Sequence, residues 1–408
     1  MKEKIAQTSL LTSLLLVAVS YLPWVYLQPM YYMLRYAVMG LLGISTVLVF
    51  SFRQTFTGHF MKIFLIAIVL IAVEFLIFKL MSLHFRLEDL TQLVVAFLCI
   101  MVGMNMKRDL CFWRDASYYY TIVLVVMGII NCLYYAKGLY VPEYYMFNEG
   151  KNQVGALIAT GAVALFFFGM KMREQRVHFW VVFFLAVEVL LLIRARADFF
   201  ALLACVLLII IKDGNWKWKW SPKTCFTICA VILGSYILLK GFFGNELHTF
   251  FSGGKNMGYD AADAMSTNRL HRDADGMKEF VGNPFDGELS EDSGIRQIHN
   301  YAILRLVRYG VWAFPFLLFY AFFGIRMIIG IFKPWHSDVR QVGFIVCGLP
   351  CIVSFFEPSF PFGPGEVQLL VFLLLGFSLA SGDGMPEQNE KIWLDEIRDF
   401  LKRKKKTS

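Results

Sequence analysis

The sequence predicts an all-α polytopic membrane protein with about twelve transmembrane helices and one long extracytoplasmic loop containing short helices. Three observations predict it. Hydrophobic residues fill 58% of the 408 positions and charged residues only 17%, whereas soluble domains sit nearer half and a quarter. Apolar stretches approaching the ~20 residues that cross a bilayer core follow one another from Thr8 to Leu239. One polar stretch, from about Gly241 to Ile298, interrupts the pattern before it resumes.

Spans are expected near 8–27, 31–51, 61–82, 90–106, 117–136, 153–170, 178–193, 198–211, 224–240, 301–325, 342–356 and 366–382. In lipid a segment must satisfy its own backbone hydrogen bonds, so each is read as a helix. If the spans alternate, Arg53, Lys62, Arg114, Lys171, Lys212, Arg326, Lys333 and Arg340 all fall on one side. Lys2, Lys4 and the run Lys402–Lys406 fall there too. The positive-inside rule makes that side cytoplasmic, with both termini, and puts residues 241–298 outside, periplasmic or extracellular. The chain then divides into a bundle of about nine helices (1–240), an extracytoplasmic loop (241–298), about three further helices (299–384) and a basic cytoplasmic tail (385–408).

The formal charge of +8 follows from these basic loops and a tail suited to anionic lipid. It implies no nucleic-acid partner, because no basic folded domain is present. The N-terminus reads as a retained helix, lacking a small-residue cleavage site. None of the eight cysteines lies in the polar loop, so the loop has no disulfide framework. The i,i+4 pairs Cys225/Cys229 and Cys347/Cys351 read as small apolar-tolerant helix residues. No internal repeat is evident.

Chemistry concentrates around the loop. Arg194 and Arg196 flank Ala195 between the seventh and eighth spans, at the outer face, followed by Asp198. They suit either snorkelling to the headgroups or an anion site, since guanidinium groups hold phosphate oxygens bidentately. The loop supplies a second pair, Arg269 and Arg272, at the start of a predicted amphipathic helix ended by Gly282 and Pro284. Asp273-Ala274-Asp275 imitates a metal-holding D-x-D element, but sugar nucleotides are cytoplasmic and this face is outside. At the loop exit stand Arg296, His299 and Asn300. Histidine suits proton transfer near neutral pH, and nearby arginines disfavour its charged form. Arg35 and Lys79 lie within reach of span ends and are expected to snorkel; Glu74, deeper in the third span, has no evident partner.

Four segments together resemble the O-antigen polymerase and O-antigen ligase superfamily. Lys151-Asn152-Gln153-Val154-Gly155 is similar to that family's Asn-x-x-Gly helix entry. Ala195-Arg196-Ala197-Asp198 is similar to its Ser-Arg-Gly-x element, with alanine replacing serine and glycine. Arg269 through Gly282-Asn283-Pro284-Phe285-Asp286-Gly287 is similar to its Arg, helix, Asn-Pro-Leu-x-Gly segment. His299-Asn300, nine residues and Gly310 are similar to its loop-exit signature, although Ala313 stands where the family usually has Gly, Thr or Tyr. These segments cover roughly residues 151–313.

The resemblance implies a membrane glycosyltransferase of bacterial surface polysaccharide assembly. Its donor would be a glycan on undecaprenyl diphosphate. A polymerase, the favoured reading, joins lipid-linked repeat units into O-antigen, capsular or exopolysaccharide; a ligase transfers finished glycan to lipid A-core or protein. A transporter or flippase of lipid-linked glycan is the alternative from another class. Under the favoured reading His299, Arg196 and Arg269 are catalytic. Arg194, Arg272, Asn300, Arg296 and Asn152 bind substrate. The expected partners are the lipid-linked oligosaccharide, membrane lipid and, as a candidate, a chain-length regulator. No cofactor and no metal are expected. The topology is directly testable: Ser252→Cys should react with a membrane-impermeant thiol reagent in intact cells. Labelling only after permeabilisation would place the loop in the cytoplasm.

Overall fold

The computed structural model describes residues 2–22, 25, 29–80, 86–106, 109–136, 151–172, 177–193, 195–213, 229–230, 233–234, 237, 269–285, 298–333, 338–357, 359–363 and 368–380. Among these residues the structure is all helical, with no strand. Its longer helices are α1 (Lys2–Ser20), α2 (Pro29–Val49), α3 (His59–Leu80), α4 (Leu87–Asn105), α5 (Leu110–Ala136), α6 (Lys151–Lys171), α7 (Val177–Leu192) and α8 (Arg196–Asp213). After the polar stretch begins come α9 (Arg269–Gly282), α10 (Tyr301–Tyr309), α11 (Phe314–Phe332), α12 (Val342–Val353) and α13 (Leu369–Leu379). Among the described residues six apolar segments are long enough to cross a membrane: Pro29–Val49, His59–Leu80, Leu87–Asn105, Leu110–Cys132, Gln153–Lys171 and Tyr301–Phe332. The chain is therefore an all-α protein of multi-pass membrane type.

Cross-contacts define two ends of the bundle. At one, the Gln7 amide donates to Asp109 at 3.5 Å, Asn105 to Thr55 Oγ1 at 2.8 Å, and Lys212 to the Ile331 carbonyl. This end also carries Lys2, Lys4, Arg53, Lys62, Arg114 and Lys171, and we call it the basic end. At the other end the Tyr21 hydroxyl donates to Gln153 at 3.1 Å, and Asn131 donates to the Tyr21 carbonyl at 3.3 Å. That end receives α9, and we call it the loop end. Helices α1 to α8 thus alternate in direction, as successive membrane crossings would.

Several expected spans have different boundaries. The first helix ends at Ser20, seven residues before the expected limit of 27. The expected span 301–325 is not one helix: α10 stops at Gly310, a 3-10 turn follows over Gly310–Ala313, and Pro315 starts α11. Gly310 adopts φ 57 and ψ −138, conditions that only glycine meets without strain, while proline suits a helix's first turn. The last two spans are helical only over 12 and 11 residues. Arg35 does not snorkel. It is 8% exposed, donates to the Tyr21 and Tyr31 hydroxyls, and lies 4.7 Å from the Tyr31 ring centroid. Glu74 Oε2 has no hydrogen-bond partner among the described residues. Cys347 is buried and Cys351 half-buried, both as free thiols; Cys225 lies outside the described residues.

Helix α13 is buried along almost its whole length, against α4 and α12. Lipid is as apolar as leucine, so close backbone packing must supply the attraction between such helices. A Cβ on Gly103 would collide with the Leu373 carbonyl, one on Gly376 with the Ile100 carbonyl, and one on Gly343 with the Leu374 carbonyl.

Helix α10 is amphipathic in an unusual sense, because both its faces are occupied. Leu304 and Val307 join Ile298, Ile303 and Phe280 in a small apolar cluster with α9. The opposite face carries Tyr301, Arg305, Arg308 and Tyr309 to the start of α4. There the buried Asp89 Oδ2 accepts from Arg305 at 2.8 Å, Tyr309 at 2.5 Å and Arg308 at 3.4 Å. Removing one member of a buried ion pair strands the other charge and typically costs about 3–5 kcal/mol. Asp89→Ala should therefore destabilise the protein by about that amount, read by unfolding in detergent. Asp89→Ala with Arg305→Leu should lose less, because the more deeply buried of the two guanidinium groups is no longer stranded. Equal loss in the single and double variants would mean the pair only fills space.

Candidate functional site

Four separate pieces of sequence meet at the loop end. The first two are the starts of α6 and α8. Gly155 faces the α8 start so closely that a Cβ there would strike Asp198 Oδ2 and the Ala195 methyl. Asp198 is 1% exposed, and neither carboxylate oxygen has a hydrogen-bond partner among the described residues. Arg196, two residues earlier on the same helix, is half-buried.

The third piece is α9. Gly276 lets this helix lie directly on Ile298 and Ile303; a Cβ there would come within 2.7 Å of the Ile298 δ-methyl. At the helix end, the Pro284 carbonyl accepts from the Val311 N–H at 2.8 Å. It fits against Gly310, where any side chain would collide with it. The Asn-Pro segment and the glycine that follows His299-Asn300 after nine intervening residues are therefore two halves of one contact.

The fourth piece is the turn after α12. Tyr301 N–H donates to the Ser354 carbonyl at 3.0 Å, fixing this turn against the α10 start. Arg269 Nη1 donates to the Phe356 carbonyl at 2.5 Å, and Nη2 pairs with Glu357 at 3.0 Å. Sequence reasoning missed Glu357. Its signal was an acid placed just before Pro358 at the loop end of a span.

Arg269 is the electrostatic hub. Its charge acts on Arg196, Asp198, Asp273 and His299. Arg196 and Arg269 repel one another, and Glu357 and Arg269 act on Asp198 with opposite sign. The site thus holds two guanidinium groups closer than they would choose, which favours an anionic ligand.

His299 lies between this cluster and α10. Its N–H donates to Asp273 Oδ1 at 3.3 Å. Its side-chain Nδ1 is buried with no hydrogen-bond partner among the described residues. Burial first, then the Arg269 and Arg272 charges, lower its pKa from 6.5 to about 4. The imidazole is therefore neutral at ordinary pH, with a ring nitrogen able to take a proton.

The remaining candidates divide. Asn300 caps α10, its Oδ1 accepting from Ala302 at 3.0 Å and Ile303 at 3.2 Å, so its oxygen is committed to the helix. Arg272 reaches the site through its charge on His299. Arg194 and Arg296 lie outside the described residues, as do the Asn152 side chain, residues 241–268 and 286–297, and the basic tail 385–408. The two carboxylates of the D-x-D segment diverge: Asp273 binds the His299 backbone, while Asp275 pairs with Lys278 at 2.9 Å and His271 at 3.4 Å. Among the described residues no three metal-ligating side chains converge.

No family model and no curated protein matches the chain.

Gly310→Ala tests how the loop helix is seated. Forcing a side chain into a conformation reserved for glycine costs on the order of 1–3 kcal/mol, and the Pro284 clash adds to it. The variant should unfold at lower temperature and be cut faster by trypsin at Arg269 and Arg272. Unchanged stability and unchanged cleavage would show that α9 does not depend on this contact.

Proposed function

We propose that the protein is a membrane glycosyltransferase that polymerises undecaprenyl-diphosphate-linked oligosaccharide repeat units on the outer face of the cytoplasmic membrane. The observation that carries this reading is His299: a half-buried, neutral imidazole whose buried Nδ1 has no partner among the described residues, held beside Arg269 and within one cluster with Arg196. An acceptor hydroxyl can lose its proton to that nitrogen while attacking the anomeric carbon of the donor glycan. The new glycosidic C–O bond forms as the bond to diphosphate breaks, and undecaprenyl diphosphate leaves with the electron pair. Arg196 and Arg269 would stabilise the charge developing on the diphosphate. Glu357 and the Phe356 carbonyl hold the Arg269 fork in place for that role. The resemblance of the 151–155, 195–198, 269–287 and 299–310 segments to the O-antigen polymerase and ligase superfamily points the same way.

The test is purified protein with lipid-linked repeat units, scored for a polymer ladder. His299→Ala should lose on the order of 10²–10⁴-fold in rate with little loss of donor binding. Arg196→Lys and Arg269→Lys should also be impaired, because lysine keeps the charge but loses the planar fork. Loss of either contact should cost about 2–4 kcal/mol in the transition state. The base works only when neutral, so kcat/KM should hold steady below pH 6.5 and fall as pH drops through about 4. A bound diphosphate adds negative charge and raises this value, so kcat should fall at higher pH than kcat/KM. A ladder unaffected by His299→Ala would remove the proposed base. Transfer of one finished glycan to lipid A-core, without a ladder, would make the enzyme a ligase.

A further inference from the structure

A second group of arginines stands at the loop end, away from His299. Arg305 and Arg308 on α10 converge with Arg86, which immediately precedes α4. Asp89 is the carboxylate that touches Arg305 and Arg308, and of the two Arg305 lies closer, at 2.8 Å. Arg308 reaches the same oxygen only at 3.4 Å, so one carboxylate serves two guanidinium groups. The Arg308 charge is repelled by both Arg305 and Arg86. The Nε atoms of Arg305 and Arg308 are buried without a hydrogen-bond partner among the described residues. Arg86 is exposed, and its side chain makes no hydrogen bond or ion pair among the described residues. Glu88, on the first turn of α4, is exposed and makes no ion pair with these arginines. Tyr309 adds no negative charge; its hydroxyl donates to Asp89 and accepts from the Arg86 N–H.

This arrangement concentrates positive charge where the bundle meets the headgroup region. Arg305 is 2% exposed and serves as the fixed base, while Arg308 is half-buried, 17% exposed at its side chain, and Arg86 is exposed. Guanidinium forks with unused donors match the oxygens of a phosphate.

We propose that Arg86 and Arg308, backed by the Arg305–Asp89 pair, bind the diphosphate of a second polyprenyl-linked substrate, the acceptor. This identity rests on the polymerase reading, in which two lipid diphosphates must be held at once. The acceptor keeps its diphosphate after reaction, so that group needs a place other than the leaving-group site at Arg196 and Arg269. Helix α10 sets the separation. His299 lies just before its start and Arg308 in its last turn, about 13.5 Å apart along the helix at 1.5 Å per residue. A repeat unit of a few sugars can arc from one to the other, delivering its far hydroxyl to His299.

The experiment counts undecaprenyl diphosphate molecules bound to the full-length protein in detergent, by native mass spectrometry. The wild type should bind two. Arg86→Gln with Arg308→Gln should weaken one of the two at least tenfold, while Arg196→Gln with Arg269→Gln weakens the other. Arg305 stays in place, because removing it would strand the Asp89 charge and threaten the fold. Arg86→Lys with Arg308→Lys should recover part of the binding and match the wild type in thermal unfolding. Two lipids bound with unchanged affinity in the Arg86→Gln, Arg308→Gln protein would overturn the inference and leave the proposed function standing. No undecaprenyl diphosphate bound by the wild type would overturn that function and the inference with it. Displacement of the second lipid alone by phosphatidylglycerol would assign these arginines to bulk anionic lipid and overturn the acceptor site.

Discussion

The buried Asp89 carboxylate anchors what lies at the loop end. It gathers Arg305, Arg308 and Tyr309 from one face of α10 and fixes that helix against the start of α4. The opposite face of α10 is then left to pack α9 through Ile298, Leu304, Val307 and Phe280. His299 precedes α10 by one residue beyond the Asn300 cap, so its position follows from the same anchor. Arg269 begins α9, so its position follows at one remove. A charged interaction inside a membrane-type bundle is costly to assemble and more costly to break, which suits a contact that fixes geometry.

Glycines do for the site what the ion pair does for the scaffold. Gly155 makes room for Asp198, Gly276 for Ile298, and Gly310 for the Pro284 carbonyl. Each permits an approach that a methyl group would block. Packing is thereby able to hold Arg196 and Arg269 together against their mutual repulsion. Glu357 offsets part of that repulsion through its 3.0 Å pair with Arg269. The result is a preorganised cluster in which the cost of bringing two guanidinium groups together is met by folding.

His299 shows how location sets chemistry. An exposed histidine is half protonated near pH 6.5. Here burial and two arginine charges remove the imidazolium from the accessible range. The neutral ring is a weak base with its Nδ1 aimed at no protein group among the described residues. That combination suits a proton acceptor which acts only as charge develops in the transition state.

The class of fold was legible in the sequence because the bilayer constrains composition directly. Runs of ~20 apolar residues must be helices when no water can satisfy the backbone, so α2 to α6 could be placed from hydropathy alone. The amphipathic loop helix was legible too, since Gly282 and Pro284 punctuate its end. His299, Arg196 and Arg269 stood out because charged and titratable groups are scarce in such a chain. The break at Gly310 was not legible, because hydropathy continues across it while the backbone conformation does not. Nor were Glu357, Asp89 and the burial of Arg35. Their roles depend on partners 88, 216 and 14 residues away, respectively, in Arg269, Arg305 and Tyr21. Sequence by itself determined which segments are helical and which residues could do chemistry, because both follow from local side-chain type. Only the tertiary structure decided which charges meet and which become buried, because desolvation and Coulomb interaction depend on distance in space, not along the chain.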